Sequence, residues 1–281
     1  MRLPALFQRR RFATGLLITG LSLVTLAMTK AAEQRNWLGA PASTDQHQPT
    51  PVATPSDPGP CPVAANPDPL LGPRTRKPGS WVGRSPVSTD LPIVVMAGHA
   101  DSQAMASAGT PGFAVDVGKQ APMDSRMRDE LYWNFKVQDA VVRLGLEEGL
   151  NIRGYTPPSL TIRNDNDPRT NWSQAKTLSA LGHYVLEIHF DAYRPYGFGS
   201  GLIPAINRPL NRVDEQLGQA FGRFPRFFRG GLGGPRRGIG ILEIGMLEPP
   251  LETKLRDLST REQTINCLAR RVVDALKRGV S

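Results

Sequence analysis

Apolar residues recur along this chain in short blocks that follow two different rhythms. Leu91-Pro92-Ile93-Val94-Val95-Met96 is an apolar, β-branched run that ends at Ala97-Gly98-His99. That is the pattern of a buried strand whose C-terminal end delivers a histidine. A Gly-, Ala- and Ser-rich stretch over 100–123 reads as a long loop. Leu131, Phe135, Val137, Val141, Leu144 and Leu146 then return at near-helical spacing, which predicts an amphipathic helix from Asp129 to about Glu148, ended by Gly149. Residues 151–156 fit a second short strand closed by Pro157-Pro158, and 169–182 a helix. Tyr184 to Phe190 is a strongly apolar strand interrupted by Glu187 and His189. A helix over Arg212–Phe221, a glycine-rich loop over Gly230–Gly240 and a last strand over Gly240–Leu247 follow. The final helix opens on a capping-box pattern, Ser259-Thr260-Arg261-Glu262, and carries the stripe Ile265, Leu268, Val272, Val273 and Leu276. Strands alternating with helices predict an α/β fold, a mostly parallel sheet flanked by helices, in a single domain over 91–281.

Before residue 91 neither rhythm is present. Four arginines fall within residues 2–11, and Phe12 to Met28 is uncharged and apolar. A basic start followed by such a run, over 1–32, reads as a secretory signal peptide or, if uncleaved, a membrane anchor. Arg9-Arg10-Arg11-Phe12 also resembles a twin-arginine export signal. Residues 33–90 are rich in Pro, Ser, Thr and Gly, and 12 of the 26 prolines lie between Pro41 and Pro86. Such a stretch buries too little to offset its conformational entropy and reads as a disordered tether. The expected location is therefore the periplasm or cell envelope.

Composition narrows the classes further. The 281 residues carry a net charge of +9. Arg2, Arg9, Arg10, Arg11 and Lys30 precede the first acidic residue and supply more than half of that excess. The rest of the chain makes a weak case for nucleic acid, and no nucleic-acid partner is expected. Arg223, Arg226, Arg229, Arg236 and Arg237, interleaved with phenylalanines, fit either a groove for an anionic glycan-peptide polymer or a solvated face. Two cysteines cannot build a disulfide framework. Cys61 and Cys267 either pair after export or remain free thiols. Nothing in the sequence fixes the oligomeric state.

Three apolar strands end in, or enclose, residues that a core would not choose: His99, Glu187 with His189, and Glu243. Ligand sites of open α/β sheets lie at the carboxyl ends of the strands, where these residues converge. Glu130, in the first turn of its helix, approaches the same edge, with Asp124 and Asp129 as its competitors. Two imidazoles and a carboxylate form a donor set suited to zinc with an open water position. A glutamate within Ile241-Leu242-Glu243-Ile244-Gly245-Met246-Leu247 is costly to bury unless it meets a metal or a proton partner. Glu243 would serve as the base beside the metal.

These motifs resemble the zinc-dependent N-acetylmuramoyl-L-alanine amidases of the amidase 3 type, over residues 91–280. Ile93-Val94-Val95-Met96-Ala97-Gly98-His99 matches the family's apolar strand running into Gly-His. Glu130-Leu131-Tyr132-Trp133-Asn134 matches its Glu-Leu-x-x-Asn helix start. Glu187-Ile188-His189-Phe190-Asp191 echoes Ser-Ile-His-Ala-Asn, and Leu242-Glu243-Ile244-Gly245-Met246-Leu247 matches Val-Glu-x-Gly-Phe-Leu. The resemblance implies His99, Glu130 and His189 as zinc ligands, Glu243 as the catalytic carboxylate, and Arg163 and Arg169 as substrate-binding residues. It implies peptidoglycan as substrate, cut at the amide joining muramic acid to L-alanine. Glu187 stands where the family has serine, two residues before His189 and on the same strand face. It reads as a carboxylate behind the metal ligands, an additional ligand, or half of a structural salt bridge. Two rival readings are a zinc carboxypeptidase acting on stem peptides and a wall-binding module of the same fold without turnover.

Overall fold

Apolar residues make up most of β1 (Ile93–Ala97), β3 (Tyr184–Asp191) and β5 (Ile239–Met246), and every position of the three is buried. Strands covered on both faces suit a parallel sheet. In the computed structural model they form its centre, in the order β2-β1-β3-β5-β4. β2 (Ile152–Tyr155), β1, β3 and β5 run parallel, while β4 (Gly201–Ile203) pairs antiparallel with the β5 edge. The structure describes residues 60–281 apart from 64, 66 and 107. The basic and apolar segment over 1–32 and the first part of the expected tether lie outside the described residues.

Helices cover the two sheet faces unequally. On one face α2 (Asp129–Glu147), α4 (Arg212–Phe221) and α7 (Arg261–Val280) bring Trp133, Val137, Phe221, Leu268, Val272 and Leu276 against Val95, Leu186, Ile188, Leu242 and Ile244. On the other, α3 (Asn171–Ala180) supplies Ala175 and Leu178, which join Phe224 and Phe228 over Val94, Met96, Val185, Ile239 and Ile241. Each such side chain contributes on the order of 1.5–3 kcal/mol by leaving water. Among the described residues no helix is long and apolar enough to cross a membrane.

Three expectations are corrected. Not all of 33–90 is tether, because its part from Cys61 onward straps across the domain. Cys61 forms a disulfide with Cys267 on α7. Asp68 pairs with Arg271, and Leu70 and Leu71 enter the core. Two leucines, an ion pair and a covalent bond hold a segment that has no apolar rhythm of its own. The capping box expected at Ser259 does not form. α7 starts after Thr260 without a side-chain cap, because the Ser259 hydroxyl donates to Asp257 Oδ1 and that of Thr260 to the Lys254 carbonyl. The box that does form belongs to α4, between Asn211 and Asp214. Finally, the loop over 100–123 contains a helical turn, α1 (Phe113–Asp116), and the glycine-rich loop contains another, α5 (Gly233–Arg236).

A further short helix, α6 (Leu251–Arg256), follows β5 and fixes α1 through Glu252. Its carboxylate is fully buried and accepts the Ala114 N–H at 2.9 Å. Burial pushes this carboxyl up to about 7, against the pull of the Ala114 N–H and Arg256. A carboxyl whose folded pKa is raised takes a proton more tightly when folded than when unfolded. Its contribution is therefore present at low pH and is lost as pH rises from the ordinary value of 4.5 through about 7. The full loss is of the order of 3 kcal/mol. Urea unfolding at pH 5 and pH 8 should show stability falling more in the native protein than in Glu252→Gln. Equal pH slopes in the two proteins would remove Glu252 as the source.

Candidate metal centre

The site is built where β1 and β3 end. Ala97 is the last residue of β1, and two residues on His99 takes a left-handed backbone with φ 65°. That conformation is costly for a residue with a Cβ. It swings the imidazole across the sheet edge toward β3, where the rings of His99 and His189 meet edge to face with centroids 4.8 Å apart. Glu130 reaches them from the first turn of α2. Its Oε1 lies 3.2 Å from His99 Nε2 and 3.2 Å from His189 Nδ1, so one carboxylate oxygen faces both rings. Its other oxygen accepts the Thr110 N–H at 2.6 Å. The loop between His99 and α2 thereby fixes the carboxylate's orientation.

Two glycines make this approach feasible. A Cβ on Gly98 would lie inside the van der Waals envelope of the His189 ring, against Cε1, Nε2 and Nδ1. Gly109, at φ +87°, would bring a Cβ to 2.7 Å from Glu130 Oε2 and 2.9 Å from His99 Cδ2. Gly98→Ala should therefore displace the His189 ring, and ligand displacement of this kind weakens metal binding by at least ~10-fold. Chelator competition with zinc checks it. Affinity equal to the native protein would show that the ring position is not limiting.

His99, Glu130 and His189 each offer one ligand atom, and these atoms lie within 4.8 Å of one another. Burial opposes ionisation of Glu130, yet the two histidines hold its carboxyl well below the usual carboxylate range. Burial likewise works against a charged His189, but its hydrogen bonds to Glu130 and Glu187 hold the ring well above its ordinary value. The cluster thus draws positive charge to the point between its ligand atoms. Two imidazoles and a carboxylate are donors that zinc accepts, so the residues present fit a divalent cation. Asp124 and Asp129 do not compete, because they pair with Arg126 and Arg256.

Glu243 follows from strand register. It is the cross-strand partner of His189 in the parallel β3/β5 ladder, so the two side chains leave the same face of the sheet. Burial pushes its carboxyl up to about 8, reinforced by Asp191 and Glu130 and opposed by His189 and Arg229. Its Oε2 is buried and has no hydrogen-bond partner among the described residues. Glu243, His99, His189 and Glu187 line one cavity of about 350 Å³. Asp101, Trp172, Leu232 and Arg229 complete much of its wall. Arg163 and Arg169 are not on that wall: Arg163 is exposed and Arg169 turns back to Asp167 at 2.6 Å. Arg229, which also lines the cavity, lies 3.4 Å from Asp191.

No family model and no curated protein matches the chain. Solved structures do. The catalytic domain of the CD27L endolysin targeting Clostridia difficile is similar at 14% identity and TM-score 0.43, over 66% of this chain and 96% of that one. The catalytic domain of CwlV, an N-acetylmuramoyl-L-alanine amidase from Bacillus (Paenibacillus) polymyxa var. colistinus, is similar at 16% identity and TM-score 0.44, over 66% and 96%. The amidase Ami1 from Mycobacterium smegmatis is similar at 16% identity and TM-score 0.41, over 68% and 99%.

Proposed function

We propose that this chain is an exported, zinc-dependent hydrolase that cuts the amide between N-acetylmuramic acid and L-alanine of peptidoglycan. The observation that carries the reading is the cluster of His99, Glu130 and His189 ligand atoms, whose two histidines line the same cavity as Glu243 and its unpartnered Oε2. The four motifs shared with the amidase 3 type supply the substrate, and the signal-like segment over 1–32 supplies the periplasm or cell envelope as location. His99, Glu130 and His189 would hold the zinc. When bound, zinc supplies positive charge that polarises a carbonyl oxygen and acidifies a water.

The chain's own residues do the rest. Glu243, whose raised pKa suits proton exchange near neutrality, takes the proton of the attacking water at its free Oε2 and returns it to the leaving amine. Trp172, Leu232, Ile162 and Met105 give the cavity apolar walls that limit water around the scissile bond. Arg229, with its side chain 44% exposed, presents a cation to an anionic stem peptide. Mass spectrometry of peptidoglycan digested with the zinc-loaded protein tests the reading. Free stem peptides with an L-alanine N-terminus, and glycan strands stripped of peptide, are the expected products. Shortened stem peptides still attached to the glycan would establish a carboxypeptidase instead. Binding to the wall without products would establish a non-catalytic module.

A further inference from the structure

Glu187 has no part in the proton transfer or the ligand set just described, yet its surroundings are as specific as those of the ligands. β3 is buried throughout, and Glu187 and His189 are alternate residues on one of its faces. A carboxylate at such a place is tolerated when both oxygens are partnered. Here they are. Oε1 accepts the Asn171 Nδ2–H at 2.8 Å, and Oε2 lies 3.2 Å from His189 Nε2.

Asn171 is itself held at three points. It is 1% exposed in the first turn of α3. Its Nδ2 also donates to the Ala97 carbonyl at 2.8 Å, and its backbone N–H donates to Asp101 Oδ2 at 2.7 Å. Both contacts tie it to the end of β1 and the turn that carries His99. The amide that grips Glu187 is thus anchored to the segment that positions the other histidine.

The two nitrogens of His189 face opposite partners. Nδ1 faces Glu130 Oε1, the oxygen also shared with His99, whereas Nε2 faces Glu187. A neutral imidazole has one N–H and one lone pair, and an ionised carboxylate can only accept. Nδ1 lies on the side of the ligand cluster, so a cation held there takes the Nδ1 lone pair and leaves the ring's one N–H on Nε2, toward Glu187. We propose that Glu187 is a positioning residue for the metal centre. It fixes His189 in the Nε2–H tautomer and in its ring orientation, and Asn171 keeps Glu187 in place. This rests on the zinc-dependent reading above. It adds that the second histidine is made a ligand by a carboxylate behind it. A contact of this kind raises the basicity of the ligating nitrogen, and its removal costs about 10–100-fold in metal affinity.

The test measures zinc affinity by chelator competition and His189 tautomer by ring ¹⁵N shifts, in the zinc-loaded protein and in the metal-free protein at pH 10. Glu187→Ala should weaken zinc binding by about 10–100-fold and shift metal-free His189 toward the Nδ1–H state, because Glu130 is then the carboxylate left to accept from the ring. Glu187→Gln leaves one acceptor for two donors, the Asn171 Nδ2–H and the His189 Nε2–H, and should fall between the native protein and Glu187→Ala in both readouts. Asn171→Ala should shift both readouts in the direction of Glu187→Ala, and the double variant Asn171→Ala/Glu187→Ala should be no worse than Glu187→Ala alone. If the alanine variant does not fold, Glu187→Gln and Asn171→Ala carry the comparison. Unchanged affinity and an unchanged tautomer in the folded variants would overturn the proposal. So would a cobalt(II) spectrum showing that Glu187→Gln loses a ligand, since Glu187 would then be in the coordination shell. A native protein that takes up no zinc would instead defeat the metal-dependent reading, and the pH 10 shifts would still decide whether Glu187 sets the tautomer.

Discussion

Glu243→Gln should keep zinc at the native level and lose turnover by roughly 10²–10⁴-fold, the usual contribution of a positioned acid–base group. The two side chains are nearly isosteric, and Glu243 Oε2 makes no hydrogen bond that the amide would forfeit. Burial already disfavours the charged carboxylate, with its pKa held at about 8, so a neutral side chain fits the site at least as well. Thermal unfolding at neutral to alkaline pH should therefore match or exceed the native value. Affinity for intact wall material should change little, because the contacts made before the reaction remain. Zinc content, pelleting with purified peptidoglycan and release of stem peptides, measured on one preparation, separate these effects. Loss of zinc would move Glu243 into the metal shell, and undiminished turnover would remove it from the reaction.

His99→Ala and His189→Ala should each abolish stoichiometric zinc after dialysis against a mild chelator, and hydrolysis with it. With three protein ligands, one removal leaves two, too few for a catalytic zinc site. The two variants should nevertheless differ in stability. The His189 side chain is 10% exposed and lies between Glu130 and Glu187, so its loss leaves the buried Glu187 Oε2 without its ring partner, while Glu130 Oε1 keeps His99. Leaving such groups unsatisfied costs about 1–3 kcal/mol or more. The His99 side chain is 23% exposed, and water can replace part of what it provides. Urea midpoints of the metal-free proteins should therefore fall further for His189→Ala. A His99→Ala protein that still holds zinc would exclude that residue as a ligand.

His99, His189 and Glu243 stand out in the sequence because each interrupts or ends an apolar block, whereas Glu130, at a helix start beside Asp124 and Asp129, contradicts nothing around it. A histidine after Val94-Val95-Met96 and a glutamate inside Ile241-Leu242-Glu243-Ile244 contradict their surroundings, and contradiction is visible in one dimension. Asn171 and Asp101 contradict nothing locally. Their importance arises because the start of α3 abuts the end of β1, a contact between residues 70 apart in sequence. Gly98 was visible as half of a Gly-His pair, but its reason, the His189 ring lying where a Cβ would be, belongs to packing. Arg229 was one arginine in a basic cluster, and only its place on the cavity wall sets it apart. The strap was misread for the opposite reason. Proline-rich composition describes how a segment behaves alone, whereas Leu70, Leu71, Asp68 and Cys61 hold it through residues of α7 and the core.

The Cys61–Cys267 bond also decides where mechanical load travels. The two cysteines are 206 positions apart, so nearly the whole described domain hangs between them as a closed loop. Tension applied to the chain ahead of Cys61 and resisted beyond the end of α7 crosses the sulfur bridge and continues along the last turns of that helix. β1, the loop bearing His99 and the start of α2 lie off this path. Such a pull would stretch a covalent bond and part of one helix, while the arrangement of His99, Glu130 and His189 stays unstrained until the bridge is reduced.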